Sequence, residues 1–288
     1  MTLSVHWRRP LMHLALLWTA IAALFMADIA HMVSIWWGSA TYNHILLIPL
    51  LIMWLVAERV RLVATLRPSS WLLGIVPLLA ALAVWVAGQA TDIALLRHLG
   101  VVLMLQAAVA STLGPTIVRA FAFPMAYALF LVPFGDEIVP LFQHLTAQLT
   151  MPLLALVGIA ASLDGLYITA PSGMFVVAEA CSGVMFLIAM AAFAVLAANL
   201  CFKGWRRRTI FVASALLTTI LANALRASGT ILIAENYGHD YARGVDHLVY
   251  GWVFFAVTII AVMLVARRWF DRPANDPAVD LNALQANG

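Results

Sequence analysis

Charge is what this 288-residue chain has least of: 10% of its residues are Asp, Glu, Lys or Arg, against 64% that are hydrophobic. Soluble domains carry about a quarter charged residues, so a water-soluble globule is excluded, and a mean hydropathy of +0.98 agrees. Cysteine is nearly absent, with two in the chain, which excludes a disulfide framework. None of the eight histidines stands at HxxxH spacing and there is no CxxC, so no metal or other cofactor is expected. No nucleic-acid motif is present, and the small net charge of +3 points to contact with anionic lipid instead. The dyad alternation of a membrane β-barrel is missing, as are internal repeats. The first apolar run, from about Leu11, follows basic residues but lacks a small-residue cleavage site, so it is expected as a retained helix.

What the chain has is a succession of apolar runs near the 18 to 20 residues that cross a hydrocarbon core. Because lipid tolerates no unpaired backbone, the expected fold is an all-α polytopic helix bundle. Spans are predicted near 11–30, 44–57, 71–88, 95–113, 119–134, 180–201, 209–234 and 247–266, about eight in all, with Pro49 and Pro124 inside the second and fifth. The stretch 151–161 is apolar but short, so the segment before Cys181 is expected to be re-entrant or interfacial. A transmembrane domain over 1–272 and a short disordered tail over 273–288 are the expected divisions.

Arg and Lys collect at Arg8 and Arg9, at Arg59, Arg61 and Arg67, at Arg119, in Lys203–Arg208, and at Arg267, Arg268 and Arg272. With eight spans all of these fall on one side, which the positive-inside rule makes cytoplasmic, together with both termini. The other side then holds 31–43, 89–94, 135–179 and 235–246. Arg97 and His98 sit just inside the fourth span on that outer side and break the pattern.

Three polar residues stand where an apolar chain should avoid them. Cys181, in EACSG, enters a predicted helix at its N-terminus. Cys201 lies at the far end of the same helix, about 30 Å away, so the two cannot pair. Cys181 is either a small buried hydrophobe or a reactive thiol. Helix N-termini stabilise thiolates, and Ser182 and Gly183 would let backbone donors approach a reacting carbonyl. Arg226, in LANALRASG, lies about 26 Å into its span. It either snorkels to the interface or lines a polar pocket, the second favoured by Asn223 on the same helical face. His247, in VDHLVYGW, opens the last span, with Tyr250 and Gly251 one turn on. A structural role and a catalytic one are both open to it, and His239 is the rival base. Alternating the direction of the three helices brings thiol, guanidinium and imidazole to one face, the parts of a cysteine acyl-transfer site. Glu179 is a supporting candidate, to orient His247 or to cap the helix. Asp136 and Glu137 mark either a boundary or a substrate contact, and Trp36 and Trp37 are read as interfacial anchors.

Taken in order, the strings STYNH-like SATYNH, VPFGDEIVPL, GLYITAPSG, VAEACSG, NALRASGT and DHLVYGWVFFA resemble the exosortase and archaeosortase family, most closely the exosortase A type, to about Arg272. The resemblance implies an eight-span enzyme of the bacterial inner membrane, a cysteine protease and transpeptidase acting at the periplasmic side on the C-terminal PEP-CTERM-type tails of exported proteins. It maps the family's Cys, Arg and His onto Cys181, Arg226 and His247. Two departures stand out: the short stretch after Arg272 leads us to expect no counterpart of the further soluble C-terminal domain of many exosortase A chains, and Val184 and Met185 follow the ACSG string where relatives often have Arg. The alternative is a transporter or exopolysaccharide-export component that uses Arg226 and His247 to bind an anion or relay a proton.

Overall fold

The computed structural model describes residues 5–238 and 247–273, for 5, 61, 62 and 247–250 the backbone only. The chain divides between Phe134 and Gly135 into two compact units.

The first unit is built from α1 (Val5–Leu24), α2 (Met26–Gly38), α3 (Ile48–Val63), α4 (Ile75–Thr91), α5 (Ala94–Leu113), α6 (Pro115–Ala120) and α7 (Ala122–Tyr127). The apolar run near 11–30 is not one straight helix: it turns by 80° at Phe25, between α1 and α2. The turn sets Asp28 of α2 within reach of Trp85 Nε1, which donates to it at 2.8 Å, and of Arg97 Nε at 3.3 Å. Arg97 also holds Asp92 at 2.8 Å, and the fully buried His98 meets His31 ring to ring at 3.1 Å. Arg97 and His98 break the charge rule because they are paired inside the protein, which is how ionisable groups are tolerated among apolar helices. Pro49 is the second residue of α3, where its missing N–H costs nothing. The predicted fifth span, 119–134, is instead broken into α6, α7 and a 3₁₀ turn over Ala128–Leu131. Trp36 is drawn inward, its indole donating to Leu131 O at 3.0 Å, while Trp37 stays exposed.

The second unit comprises α8 (Val139–Leu156), three short strands, α9 (Val184–Cys201), α10 (Trp205–Tyr237) and α11 (His247–Ala266). α10 packs on α8, α9 and α11. The seam of α9 against its neighbours is made by Phe186, Met190, Ala194, Ala197 and Ala198 with Phe211, Ala215 and Phe255. Alanines there let the backbones approach, the usual device between apolar helices. At one end of this unit the basic segments meet. Lys203 N–H donates to Asp271 at 2.8 Å, Arg207 pairs with Asp271 at 3.0 Å, and Arg272 donates to Asn199 O at 2.6 Å.

The segment before Cys181, expected to be re-entrant or interfacial, contains both helix and sheet. An 18-residue helix, α8, runs to Leu156, and an antiparallel meander follows: β1 (Ser162–Asp164), β2 (Tyr167–Ala170) and β3 (Gly173–Val176), in that order. Gly165, at φ +59°, occupies the first central position of the β1–β2 turn, where a type II′ hairpin needs glycine. Leu163, Ile168, Ala170 and Phe175 face inward onto Ala147 and Leu154 of α8 and Ile231 of α10.

Among the described residues, six helices are long and apolar enough to cross a membrane, or up to eight if His6–Leu24 with Met26–Gly38 and Ala122–Leu131 with Asp136–Leu156 each count as one bent span. The protein is an all-α polytopic membrane protein that carries one small sheet.

Candidate functional site

Cys181 closes a 3₁₀ turn, Glu179–Cys181, between β3 and α9. Its N–H donates to Ala178 O at 2.8 Å, and Ser182 N–H donates to Glu179 O at 3.0 Å. The Ser182 amide is therefore committed to the turn and is not a spare donor for a substrate. Its hydroxyl accepts from Val184 N–H at 3.3 Å, which satisfies one open donor of the first turn of α9. Cys181 is half-buried against the cluster of Ala147, Ile168 and Ile231, and neither cysteine forms a disulfide.

Asn223 of α10 ties this turn to the rest of the site. Its Nδ2 donates both to Cys181 O and to Thr146 Oγ1, each at 3.0 Å, and its Oδ1 accepts from Arg226 Nη2 at 3.1 Å. Thr146 Oγ1 in turn donates to Ser182 O at 3.2 Å. One amide thus uses both donors and its acceptor, joining α8, the cysteine turn and the arginine. Gly183, at φ +82°, makes room for it: a Cβ at that position would lie 2.5 Å from Asn223 Cγ.

Arg226 is 4% exposed, so it is a buried residue and not a snorkelling one. Its guanidinium carbon lies 5.6 Å from the Phe186 ring centre, in cation–π range. Gly251 of α11 borders it, since a Cβ there would stand 3.7 Å from Arg226 Nη1 and 3.0 Å from Phe186 Cζ. Among the described residues no carboxylate pairs with Arg226, and its Nε has no hydrogen-bond partner. A buried cation met, among the described residues, by a neutral amide and an aromatic ring is set up to receive an anion.

His247 is the first residue of α11, one turn before Gly251. Its side chain lies outside the described residues, as do His239 and Asp246. Glu179 is exposed, with no side-chain partner among the described residues. Asp136 and Glu137 begin a 3₁₀ turn ahead of α8, where Glu137 accepts from Gly135 N–H at 3.1 Å. The structure therefore joins Cys181, Asn223 and Arg226 and adds Thr146. The sequence reading of this segment as re-entrant or interfacial does not single out Thr146. The signal was there, in the helical spacing of Gln143, Thr146 and Thr150 within an otherwise apolar stretch; Gln143 donates to Val177 O at 2.8 Å and Thr150 to Thr146 O at 2.8 Å.

The family model described as transmembrane exosortase (Exosortase_EpsH) matches residues 36–264, a range that holds all four of these residues and His247. No curated protein and no solved structure gives a significant match.

Proposed function

On the premise that this chain belongs to the transmembrane exosortase family, and is thus a membrane protease or transpeptidase for sorting signals, we propose that it works by thioester chemistry on Cys181. The observation that carries this reading is the Asn223 bridge, which couples the turn bearing the thiol to a buried arginine that has no carboxylate partner among the described residues. The Cys181 thiol gives its proton to the His247 imidazole and the sulfur attacks the scissile carbonyl carbon. The resulting oxyanion is held by Arg226, whose charge acts strongly in a partly dry site. Collapse breaks the C–N bond, His247 returns the proton to the leaving amine, and the exported protein remains as a thioester on Cys181. An incoming amine or water, deprotonated by His247, then releases it. Asn223 and Thr146 position the turn and the guanidinium. We assign the substrate as the C-terminal PEP-CTERM-type tail, and the compartment as the bacterial inner membrane with the site on the periplasmic side. Support for that orientation is the gathering of Lys203, Arg207 and Arg272 at the other end of the second unit.

Co-expression with a tagged tail-bearing protein tests the assignment. Cys181→Ala is expected to abolish tail removal while the protein stays in the membrane, and intact-mass analysis of the wild type should find substrate attached to Cys181. Continued cleavage by the variant would refute the nucleophile; a transporter would survive Cys181→Ser.

A further inference from the structure

Among the described residues the sheet has an unpaired edge at β3, and it leads to the thiol. In the β2–β3 ladder, Val176 stands opposite Tyr167 and Gly173 opposite Ala170, and just beyond the ladder Val177 N–H donates to Leu166 O at 3.0 Å. Inward-pointing amides alternate along an antiparallel strand, so Val177, Phe175 and Gly173 face β2, and the N–H groups of Met174 and Val176 point away from the sheet. Met174 is 67% and Val176 53% exposed, and among the described residues neither amide meets a partner. Val176 O accepts from Ala178 N–H at 3.0 Å, so the edge offers the Met174 and Val176 N–H groups, and such donors select another backbone.

α10 measures where this edge runs. At its far end Glu235 accepts from Ser172 N–H at 2.8 Å, at the head of β3; twelve residues earlier Asn223 donates to Cys181 O at 3.0 Å. Twelve residues of helix are about 18 Å. β3 and the turn after it therefore descend along α10 from its tip to Cys181, a path that five or six extended residues would cover at about 3.3 Å each. Among hydrocarbon chains an open strand edge is not tolerated, so this path lies in water or headgroups.

Resting on the thioester reading above, we infer that β3 is the docking strand for the substrate: the extended segment on the N-terminal side of the scissile bond adds to the Met174–Val176 edge as a fourth, parallel strand and is delivered to Cys181. Parallel pairing follows from direction. The exported body of the substrate lies outside the membrane and its tail helix within, so the segment between them runs the same way as β3. The other edge, β1, sits about 10 Å across the sheet and does not lead to the thiol. Recognition through backbone groups also lets one enzyme accept tails of differing side chains, with the exposed Met174 and Val176 as shallow selectors.

The test replaces a backbone donor without breaking the ladder. Met174→Pro removes an N–H that points outward, which an edge strand tolerates, and Met174→Ala changes only the side chain. The expected result is a fall of at least tenfold in kcat/KM for tail removal with Met174→Pro, seen mainly as raised KM, and of under threefold with Met174→Ala, while labelling of Cys181 by iodoacetamide and the membrane level stay unchanged. A photo-crosslinking residue at Met174 should capture the co-expressed substrate, and one at Ser162 on β1 should not, which also decides the matter if the proline variant fails to accumulate. Equal activity of the proline and alanine variants, or equal capture from Met174 and Ser162, would overturn the docking strand. If Cys181→Ala still cleaves, the thioester reading falls, and with it this inference; if Cys181→Ala is inactive while Met174→Pro is unimpaired, only the docking strand is lost.

Discussion

Gly183→Ala tests whether the Asn223 bridge organises the site. At φ +82° the position is left-handed, and a residue with a Cβ loses about 1–2 kcal/mol there. The added carbon would also stand 2.5 Å from Asn223 Cγ and 2.6 Å from Nδ2, so the amide must retreat by roughly 1 Å to reach ordinary contact. Overpacking of this kind costs about 1–3 kcal/mol, and a displacement of about 1 Å at a catalytic constellation costs on the order of a hundredfold in rate. Gly158 supplies the control, because it is left-handed too, at φ +79°, yet nothing lies within 4 Å of a Cβ built there. Thermal unfolding in detergent should therefore show Gly183→Ala less stable than Gly158→Ala by the overpacking cost alone. Tail removal should fall about a hundredfold in the first and only a few-fold in the second. Truncating the obstacle gives a further check: Asn223→Ala should destabilise less in the Gly183→Ala background than in the wild type, since neighbours in contact are not additive. Equal stability and equal activity of the two alanine variants would show that Asn223 is free to move and that the bridge positions nothing.

Thr146→Val keeps the shape of the side chain but strips the hydroxyl from Asn223 Nδ2 and Ser182 O; a stability loss of about 1–3 kcal/mol and a clear drop in tail removal are expected, with Thr146→Ser close to wild type in both assays. Arg226→Lys keeps the charge but not the planar fork that reaches Asn223 while stacking on Phe186; single-turnover measurement should find thioester formation slowed by about tenfold or more, and an unchanged rate would remove Arg226 from the chemistry. Asp28→Ala takes the acceptor from Trp85 and one carboxylate from Arg97, and unfolding should report a loss of about 1–3 kcal/mol.

The apolar periodicity made the long helices legible. The last predicted span, 247–266, forms a helix over His247–Ala266, and the fourth, 95–113, forms one over Ala94–Leu113. Breaks are harder to see, because nothing in the Leu, Ala and Met around Phe25 signals an 80° turn, and the contacts that accompany it, Asp28 with Trp85 and Arg97, are distant in sequence. The meander was legible in principle. Asp164-Gly165 and Pro171-Ser172-Gly173 punctuate alternating apolar residues, a hairpin signal, but a search for runs long enough to span lipid passes over strands of three and four residues. Asn223 beside Arg226 was readable from i, i+3 spacing; its second hydrogen bond, to a cysteine carbonyl 42 residues away, was not.

The length of α10 explains why such a site sits where it does. Its 33 residues measure about 50 Å, well beyond the roughly 30 Å of a hydrocarbon core, so a substantial part of it must project. Its first residues, Trp205 to Arg208, are an aromatic and three arginines suited to a headgroup surface. Counted from there, about 30 Å of helix ends near residue 225, beside Asn223 and Arg226. The guanidinium thus stands at the boundary where its burial cost falls, and what projects beyond it carries Ile231 and Glu235, the two contacts that hold the sheet. A helix confined to the bilayer would leave the strands nothing to pack on, and one without Arg226 would leave the thiol's turn facing an uncharged wall. The tail cleavage proposed above would use both: a cation at the edge of the lipid, and beyond it a scaffold of strands held by the projecting end of α10.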